Sequence, residues 1–174
     1  MDLGCGKGRA VLVAAERPFR EVIGVELSPD LARIARANAS IMAARNGRRA
    51  PIRIETGDAS AYPLPPGDLV IFLYDPFGSE LMAKVVGAVE SAVRSAPRAV
   101  YVIYYNPVSG RLFDECPVLK RRWATMLPYA QEERGYGPEL DDAIVIWQGG
   151  TAPPTGPVNM APIRLIPGRR AELV

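Results

Sequence analysis

Apolar and polar residues follow two alternating periods along this chain of 174 residues. A two-residue period or a short continuous apolar run predicts a strand, whereas apolar residues at three- and four-residue steps predict a helix. Strands are expected within residues 21–27, 51–56, 69–74, 99–105 and 143–147, and a weaker one within 125–133. Helices are expected over residues 8–17, 28–46 and 79–96, with a short one at 111–116. This alternation predicts an α/β fold, with a doubly wound, mostly parallel sheet and helices on both faces.

Prolines and glycines mark the boundaries of these elements. Pro18 ends the first helix, and Ser28 followed by Pro29 is typical of a helix N-terminus. Residues 1–150 have the length of one domain. Residues 151–174 are rich in proline and glycine, which predicts a tail of coil with one short extended piece at 162–166.

Composition restricts the class of protein. Hydrophobic residues make up 48% and charged residues 23%, as in ordinary globular domains. The apolar runs are far shorter than the roughly 20 residues of a membrane-spanning helix, so no membrane association and a cytoplasmic location are expected. The formal net charge is only +2, and the arginine clusters have no interleaved aromatic residues. We therefore expect a protein or small-molecule partner rather than a nucleic acid.

The residues that are absent also restrict the chemistry. The chain has no histidine, which excludes a histidine general base, a Ser-His-Asp triad and any histidine metal ligand. Cys5 and Cys116 do not form a C-x-x-C pair, so neither a zinc site nor a disulfide framework is expected.

A glycine-rich turn marks the expected ligand site. Gly4, Gly6 and Gly8 alternate just before the first helix, so the backbone there can approach a nucleotide-like group. Glu26 follows about 20 residues later near the end of a strand, where a carboxylate meets ribose hydroxyls. The G-x-G-x-G spacing differs from the dinucleotide pattern G-x-G-x-x-G, and no G-K-[ST] follows. Both a dehydrogenase and a P-loop protein are therefore disfavoured.

Four segments in order resemble the motifs of the class I S-adenosylmethionine-dependent methyltransferases. They are Asp2-Leu-Gly-Cys-Gly-Lys-Gly8, Gly24-Val-Glu-Leu-Ser-Pro29, Gly57-Asp58-Ala59 and Tyr74-Asp75-Pro76-Phe77-Gly78. The resemblance implies a Rossmann-like fold, S-adenosylmethionine as cofactor and methyl transfer as the reaction.

The resemblance also implies a role for each cofactor-binding position. The glycines contact the methionine part of the cofactor, the first aspartate organises their loop and approaches the ammonium group, and the acids after the second and third strands bind ribose and adenine. The residues assigned in this way are Asp2, Gly4, Gly6, Gly8, Glu26, Asp58 and Ala59. Asp58 also has a simpler interpretation as an ordinary turn aspartate.

Asp75-Pro76-Phe77 resembles the Asn/Asp-Pro-Pro-Tyr/Phe motif of amino-group methyltransferases, with one proline fewer. It implies that these three residues are catalytic and that the acceptor is an amino nitrogen, a protein lysine being one candidate. Asp75 or a tyrosine among Tyr74, Tyr104 and Tyr105 is expected to accept the proton that the amine loses. The alternative is a turn that ends a strand, with Phe77 filling the core.

The resemblance is incomplete at the start of the chain. The family has an apolar strand before its glycine loop, but here the motif begins at Asp2, so a sheet that lacks its first strand is expected. One alternative function is therefore a non-catalytic nucleotide-binding module of the same fold. A nicotinamide-dependent oxidoreductase is a further alternative, disfavoured by the glycine spacing.

Overall fold

The computed structural model describes residues 1–45, 49–129, 131, 141–151, 159–161, 163–165 and 171–173. The helices are α1 (Arg9–Ala14), α2 (Pro29–Arg45), α3 (Ser79–Ser95) and α4 (Arg111–Asp114). The first strands are β1 (Asp2–Leu3), β2 (Val22–Glu26), β3 (Ile52–Thr56), β4 (Leu69–Tyr74) and β5 (Ala99–Tyr105). The later strands are β6 (Leu119–Pro128), β7 (Asp141–Gly150), β8 (Asn159–Met160), β9 (Ile163–Arg164) and β10 (Glu172–Leu173).

The described strands form one large sheet, in the order β3-β2-β1-β4-β5-β7-β6-β8, and a small one of β9 and β10. The first five strands in this order are parallel, and β7 is antiparallel to both of its neighbours. The prediction of a doubly wound, mostly parallel sheet is confirmed. Because the order reverses direction between β1 and β4, the carboxyl ends of β1, β2 and β4 meet at the position where such sheets bind ligands.

Helices cover both faces of this sheet because successive strand residues point in opposite directions. On one face, Val11 of α1 and Ala35 of α2 pack with Val22 and Ile54. On the other face, α3 contributes three buried residues that pack against β4 and β5, namely Met82, Val85 and Val89. Burial of this apolar side explains why α3 forms a regular helix of 17 residues.

The central strand β1 consists of two residues only. Asp2 lies opposite Gly24 of β2 on one side and opposite Phe72 of β4 on the other. The strand expected to be missing is thus represented by Asp2 and Leu3, which occupy its position in the sheet. Leu3 is 1% exposed and joins the main hydrophobic core.

The later part of the chain differs in detail from the expectation. The weaker strand expected within residues 125–133 begins earlier, since β6 spans Leu119–Pro128 and carries a register shift between Arg121 and Trp123. The tail predicted as coil contains short strands, and Ile163 and Ala171 join the main core. The strand Ile163–Arg164 lies within the extended piece predicted at 162–166, although residues 162 and 166 lie outside the described ones. The division at residue 150 stays a prediction.

No helix in the described part of the chain combines the length and apolar character that crossing a membrane requires.

Candidate active site

The glycine loop follows β1 directly and turns against the end of β2. Gly4, Gly6 and Gly8 have φ angles of 83°, 53° and 84°, a region that side chains disfavour. The backbone N–H groups of Gly4 and Cys5 both donate to the carbonyl of Val25, at 2.9 and 3.0 Å. The loop is therefore fixed to the sheet before α1 begins.

Glu26 holds the same loop through its side chain. Its Oε2 accepts a hydrogen bond from the Gly6 N–H at 2.8 Å, and its Oε1 accepts one from the Ser28 N–H at 2.9 Å. The residue is 9% exposed. Each carboxylate oxygen has two lone pairs, so both oxygens keep capacity for a further donor.

Asp2 lies buried between β2 and β4, with 6% of its surface exposed. Burial raises the pKa of its carboxyl group to about 7, the positive charge of the N-terminus lowers it, and the charge of Glu26 raises it further. At neutral pH this group is therefore close to half ionised. A cation placed beside Asp2 would favour the ionised form.

Asp58 follows β3 and forms a local turn. Its Oδ1 accepts hydrogen bonds from the Ser60 N–H at 2.9 Å and the Ser60 hydroxyl at 2.7 Å. These bonds hold the pKa of this exposed carboxyl group below its usual value. Ala59 is 4% exposed and belongs to the main core, so its side chain is not presented to a ligand.

Asp75 begins the turn after β4 with a left-handed backbone (φ 42°), which is uncommon for a residue with a side chain. Its Oδ1 accepts a hydrogen bond from the Tyr104 hydroxyl at 3.1 Å. That hydroxyl accepts a bond from the Ser109 N–H at 3.4 Å, so its single proton points toward Asp75. Tyr104 is fully buried, and burial raises the pKa of its hydroxyl.

Pro76 connects this turn to the glycine loop. A Cβ atom added to Gly4 would lie 2.6 Å from the Cβ of Pro76. The two segments are thus in direct contact, as the sequence prediction of a shared site requires. Phe77, in contrast, is half-buried and packs against the main core. This position agrees with its alternative interpretation as a core residue.

A second turn of the same kind lies beside the first, and the sequence analysis did not identify it as part of the site. Tyr105-Asn106-Pro107 ends β5 as Tyr74-Asp75-Pro76 ends β4, and Asn106 is also left-handed (φ 50°). The side chain of Asn106 donates to Asp142 Oδ1 at 2.6 Å and accepts from the Ala143 N–H at 3.2 Å. The repeated Tyr-Asx-Pro pattern is the signal in the sequence that marks this pair of turns.

An open cleft of about 1010 Å³ runs along the sheet between α1 and the strands β4 and β5. Its lining includes Gly4, Lys7 and Arg9 from the glycine loop and the start of α1, and Tyr74 and Tyr105 from the strand ends. A second cavity of about 700 Å³ lies between the turn at Asp75 and residues 108–115. The glycine loop therefore borders the first cleft, and the turn at Asp75 borders the second cavity.

Comparison with known proteins places these features in context. The family model described as "Methyltransferase domain" matches residues 1–95. An RNA methyltransferase from Salinibacter ruber, solved with S-adenosyl-L-homocysteine, is similar at 22% identity and a TM-score of 0.56, with 89% of this chain and 82% of that chain covered. A methyltransferase from Methanosarcina mazei is similar at 12% identity and a TM-score of 0.61, with 87% and 92% covered.

The methyltransferase domain of a bacterial CtHen1-C is similar at 14% identity and a TM-score of 0.58, with 86% of this chain and 88% of that chain covered. At these identities the likeness shows the fold. Among proteins with curated descriptions, none is detectably similar in sequence to this chain.

Proposed function

This chain belongs to the methyltransferase domain family, and from that premise we propose that it transfers the methyl group of S-adenosylmethionine to an amino nitrogen held at Asp75. Methyl transfer and the cofactor follow from the family. The nature of the acceptor and the role of each residue belong to the proposal.

The contact between Gly4 and Pro76 is the observation that supports the proposal most directly. Because Gly4 has no side chain, Pro76 approaches it so closely that a Cβ atom added to Gly4 would lie 2.6 Å from the Cβ of Pro76. The loop that holds the methyl donor and the turn that holds the acceptor are therefore adjacent. Adjacency of this kind is the main requirement for transfer between two bound molecules.

The residues around the glycine loop fit the proposed cofactor. A Cβ added to Gly6 would meet no protein atom within 4 Å, so the loop borders open space on that side. Glu26 keeps lone pairs for the two ribose hydroxyls, and Asp2 lies close enough to the loop to compensate the cofactor's ammonium group. Asp58 offers Oδ2 to the adenine amino group, since its bonds to Ser60 use Oδ1.

When bound, the cofactor supplies a methyl group on a positively charged sulfur, so the protein's part is chiefly orientation. Asp75 would orient the acceptor amine toward that methyl group, and its carboxylate would take up the proton that the amine must lose. Orientation of two reactants accounts for roughly 7–11 kcal/mol of such a barrier.

Tyr104 determines which oxygen of Asp75 faces the acceptor. Its hydroxyl donates to Oδ1 and so fixes the orientation of the carboxylate, which leaves both lone pairs of Oδ2 available to the N–H of the acceptor amine. The fully buried ring holds this arrangement in place between the sheet and the turn containing Ser109.

The donor half of the proposal is tested by calorimetric titration of S-adenosylhomocysteine and of NAD. Micromolar binding of the first alone, about −8 kcal/mol, is the expected result. Binding of NAD with comparable affinity would contradict the cofactor assignment.

The acceptor half is tested with Asp75→Ala. Transfer of a labelled methyl group to amine probes should fall by about two to four orders of magnitude, while S-adenosylhomocysteine binding stays intact. The matched control is Asp30→Ala, because Asp30 is an exposed aspartate on α2. Unchanged transfer by Asp75→Ala would refute the role of this carboxylate.

A non-catalytic binding module of the same fold is the second candidate function, and the packing of the half-buried Phe77 against the core favours it. The aromatic ring that packs on the acceptor in amino-group methyltransferases here packs against the core. A protein that binds S-adenosylhomocysteine tightly but transfers no methyl group to any amine probe would have this function.

A further inference from the structure

Helix α2 contacts the glycine loop through Asn38. The side-chain amide of Asn38 donates a hydrogen bond to the carbonyl of Lys7 at 3.0 Å. Lys7 lies between Gly6 and Gly8 in the loop. A Cβ atom added to Gly8 would lie 3.2 Å from the Cβ of Ala35, so the helix and the loop are also packed closely together. The loop is therefore held by α2 as well as by its bonds to β2.

The same helix holds the end of β3 through Arg36. Its Nε and Nη2 atoms donate to the carbonyl of Ile54 at 3.1 and 3.0 Å. Nη2 also donates to the hydroxyl of Thr56 at 2.7 Å. Thr56 is the last residue of β3 and lies two residues before Asp58. The guanidinium group therefore spans the end of the strand from which the loop with Asp58 continues.

The strand β3 lies at the edge of the described sheet and pairs there with β2 alone. The backbone groups of Pro51 and Gly57 bond to β2. Because every second residue of a parallel strand bonds to the same neighbour, the N–H and C=O groups of Ile54 point to the opposite, open side. Arg36 therefore fixes the side of β3 that no strand of the described sheet covers.

We infer that Arg36 and Asn38 are positioning residues for S-adenosylmethionine. Through them, one helix sets the glycine loop, which would hold the methionine part, relative to the loop with Asp58, which would hold the adenine. This inference rests on the proposed function, since it concerns how the same site keeps its shape. Both side chains act on the backbone of the site and not on the cofactor. A site that is ordered before the ligand arrives loses less conformational entropy on binding.

The first test is calorimetric titration of S-adenosylhomocysteine into Arg36→Ala and Asn38→Ala. One neutral hydrogen bond corresponds to up to about tenfold in an equilibrium constant, and one from a charged group to up to about 100-fold. We therefore expect affinity to fall about 3- to 10-fold for Asn38→Ala and about 10- to 100-fold for Arg36→Ala. The matched controls on α2 are Ser40→Ala, whose hydroxyl bonds only within the helix, and Arg33→Ala, which is paired with Asp30; both should change affinity by less than about twofold.

The second test separates positioning from a general loss of stability. It is hydrogen–deuterium exchange of the protein without cofactor, followed in the segments 4–8 and 52–58. Asn38→Ala should accelerate exchange in the first segment alone, and Arg36→Ala in the second alone, because each side chain bonds to one of them. Thr56→Val removes one exposed acceptor hydroxyl, so it should produce a smaller form of the Arg36→Ala effect in the same segment.

Two results would overturn the inference. One is a change of less than threefold in the affinity of either alanine variant for S-adenosylhomocysteine. The other is an equal acceleration of exchange in both segments, which would indicate that α2 is loosened as a whole. The natural protein tests the proposed function separately. If it fails to bind S-adenosylhomocysteine, the role of the site itself is refuted, whereas normal binding with variants that behave like the controls refutes only the positioning roles.

Discussion

Replacing Glu26 by alanine should destabilise the glycine loop and also remove any contact with a ribose. The carboxylate accepts two backbone N–H bonds, from Gly6 at 2.8 Å and from Ser28 at 2.9 Å, and is 9% exposed. A hydrogen bond to a charged group contributes about 1.5–3 kcal/mol. Because the two bonds share one carboxylate and some burial cost is recovered, we expect a loss of about 3 kcal/mol in the free energy of unfolding.

Urea denaturation of the protein without cofactor measures this loss. With a slope of about 2 kcal/mol per molar urea, the midpoint should fall by about 1.5 M. Glu26→Gln keeps one acceptor oxygen and should lose about half as much. Glu21→Ala is the control, because Glu21 forms an exposed ion pair with Arg53 at 3.0 Å and should change stability by less than about 1 kcal/mol.

This experiment decides how a loss of cofactor binding by Glu26→Ala is interpreted. If the variant had the urea midpoint of the natural protein and still failed to bind S-adenosylhomocysteine, Glu26 would act on the ligand alone. The argument that its hydrogen bonds hold the loop would then be refuted.

Three further predictions concern the same site. Asp2 has a pKa of about 7, and a cofactor ammonium group favours its ionised form. The affinity for S-adenosylhomocysteine should therefore be full above pH 7 and fall up to tenfold per pH unit below it. Calorimetry between pH 5.5 and 8.5 measures this dependence, and Asp2→Asn should flatten the profile. Gly6→Ala should lower the free energy of unfolding by about 1–2 kcal/mol because its backbone is left-handed. Gly4→Ala should lower it further in thermal melts, because it adds a clash with Pro76. Equal losses for the two variants would contradict the close contact between Gly4 and Pro76. Tyr104→Phe should lower the free energy of unfolding by about 1–3 kcal/mol, because the buried N–H of Ser109 loses its acceptor. Tyr101→Phe on the same strand should leave the urea midpoint nearly unchanged. Equal losses would show that the Tyr104 hydroxyl has no special role in stability.

Local patterns in the sequence predict most of the parallel half of the sheet. The run from Leu69 to Tyr74 reads as a strand and is one, because its residues are covered in alternation by α3. The helix after Ser28 begins at Pro29 as its capping residues indicate. Such features depend on neighbouring residues in the chain, and sequence patterns report those well.

Features that depend on distant pairing could not be predicted in this way. The start of β6 could not be recognised because Lys120, Arg121 and Arg122 read as a charged surface segment, yet the backbone of Lys120 and Arg121 pairs with β7. The sequence also gives no sign that Glu26 bonds to the glycine loop, or that Ala59 is covered by the core.

The expectation of a protein or small-molecule partner rested on the absence of aromatic residues beside the arginine clusters in the sequence. In the fold, Lys7 and Arg9 line the same cleft as Tyr74 and Tyr105, although 65 to 98 residues separate the cations from the tyrosines in the chain. Charge and aromatic surface are therefore combined through space, and only the structure shows the combination.

The close contact between Gly4 and Pro76 limits how this site can change during evolution. A residue larger than glycine at position 4 would clash with the Cβ atom of residue 76, which every amino acid except glycine carries. Position 4 is therefore restricted to glycine even where the residue at position 76 changes.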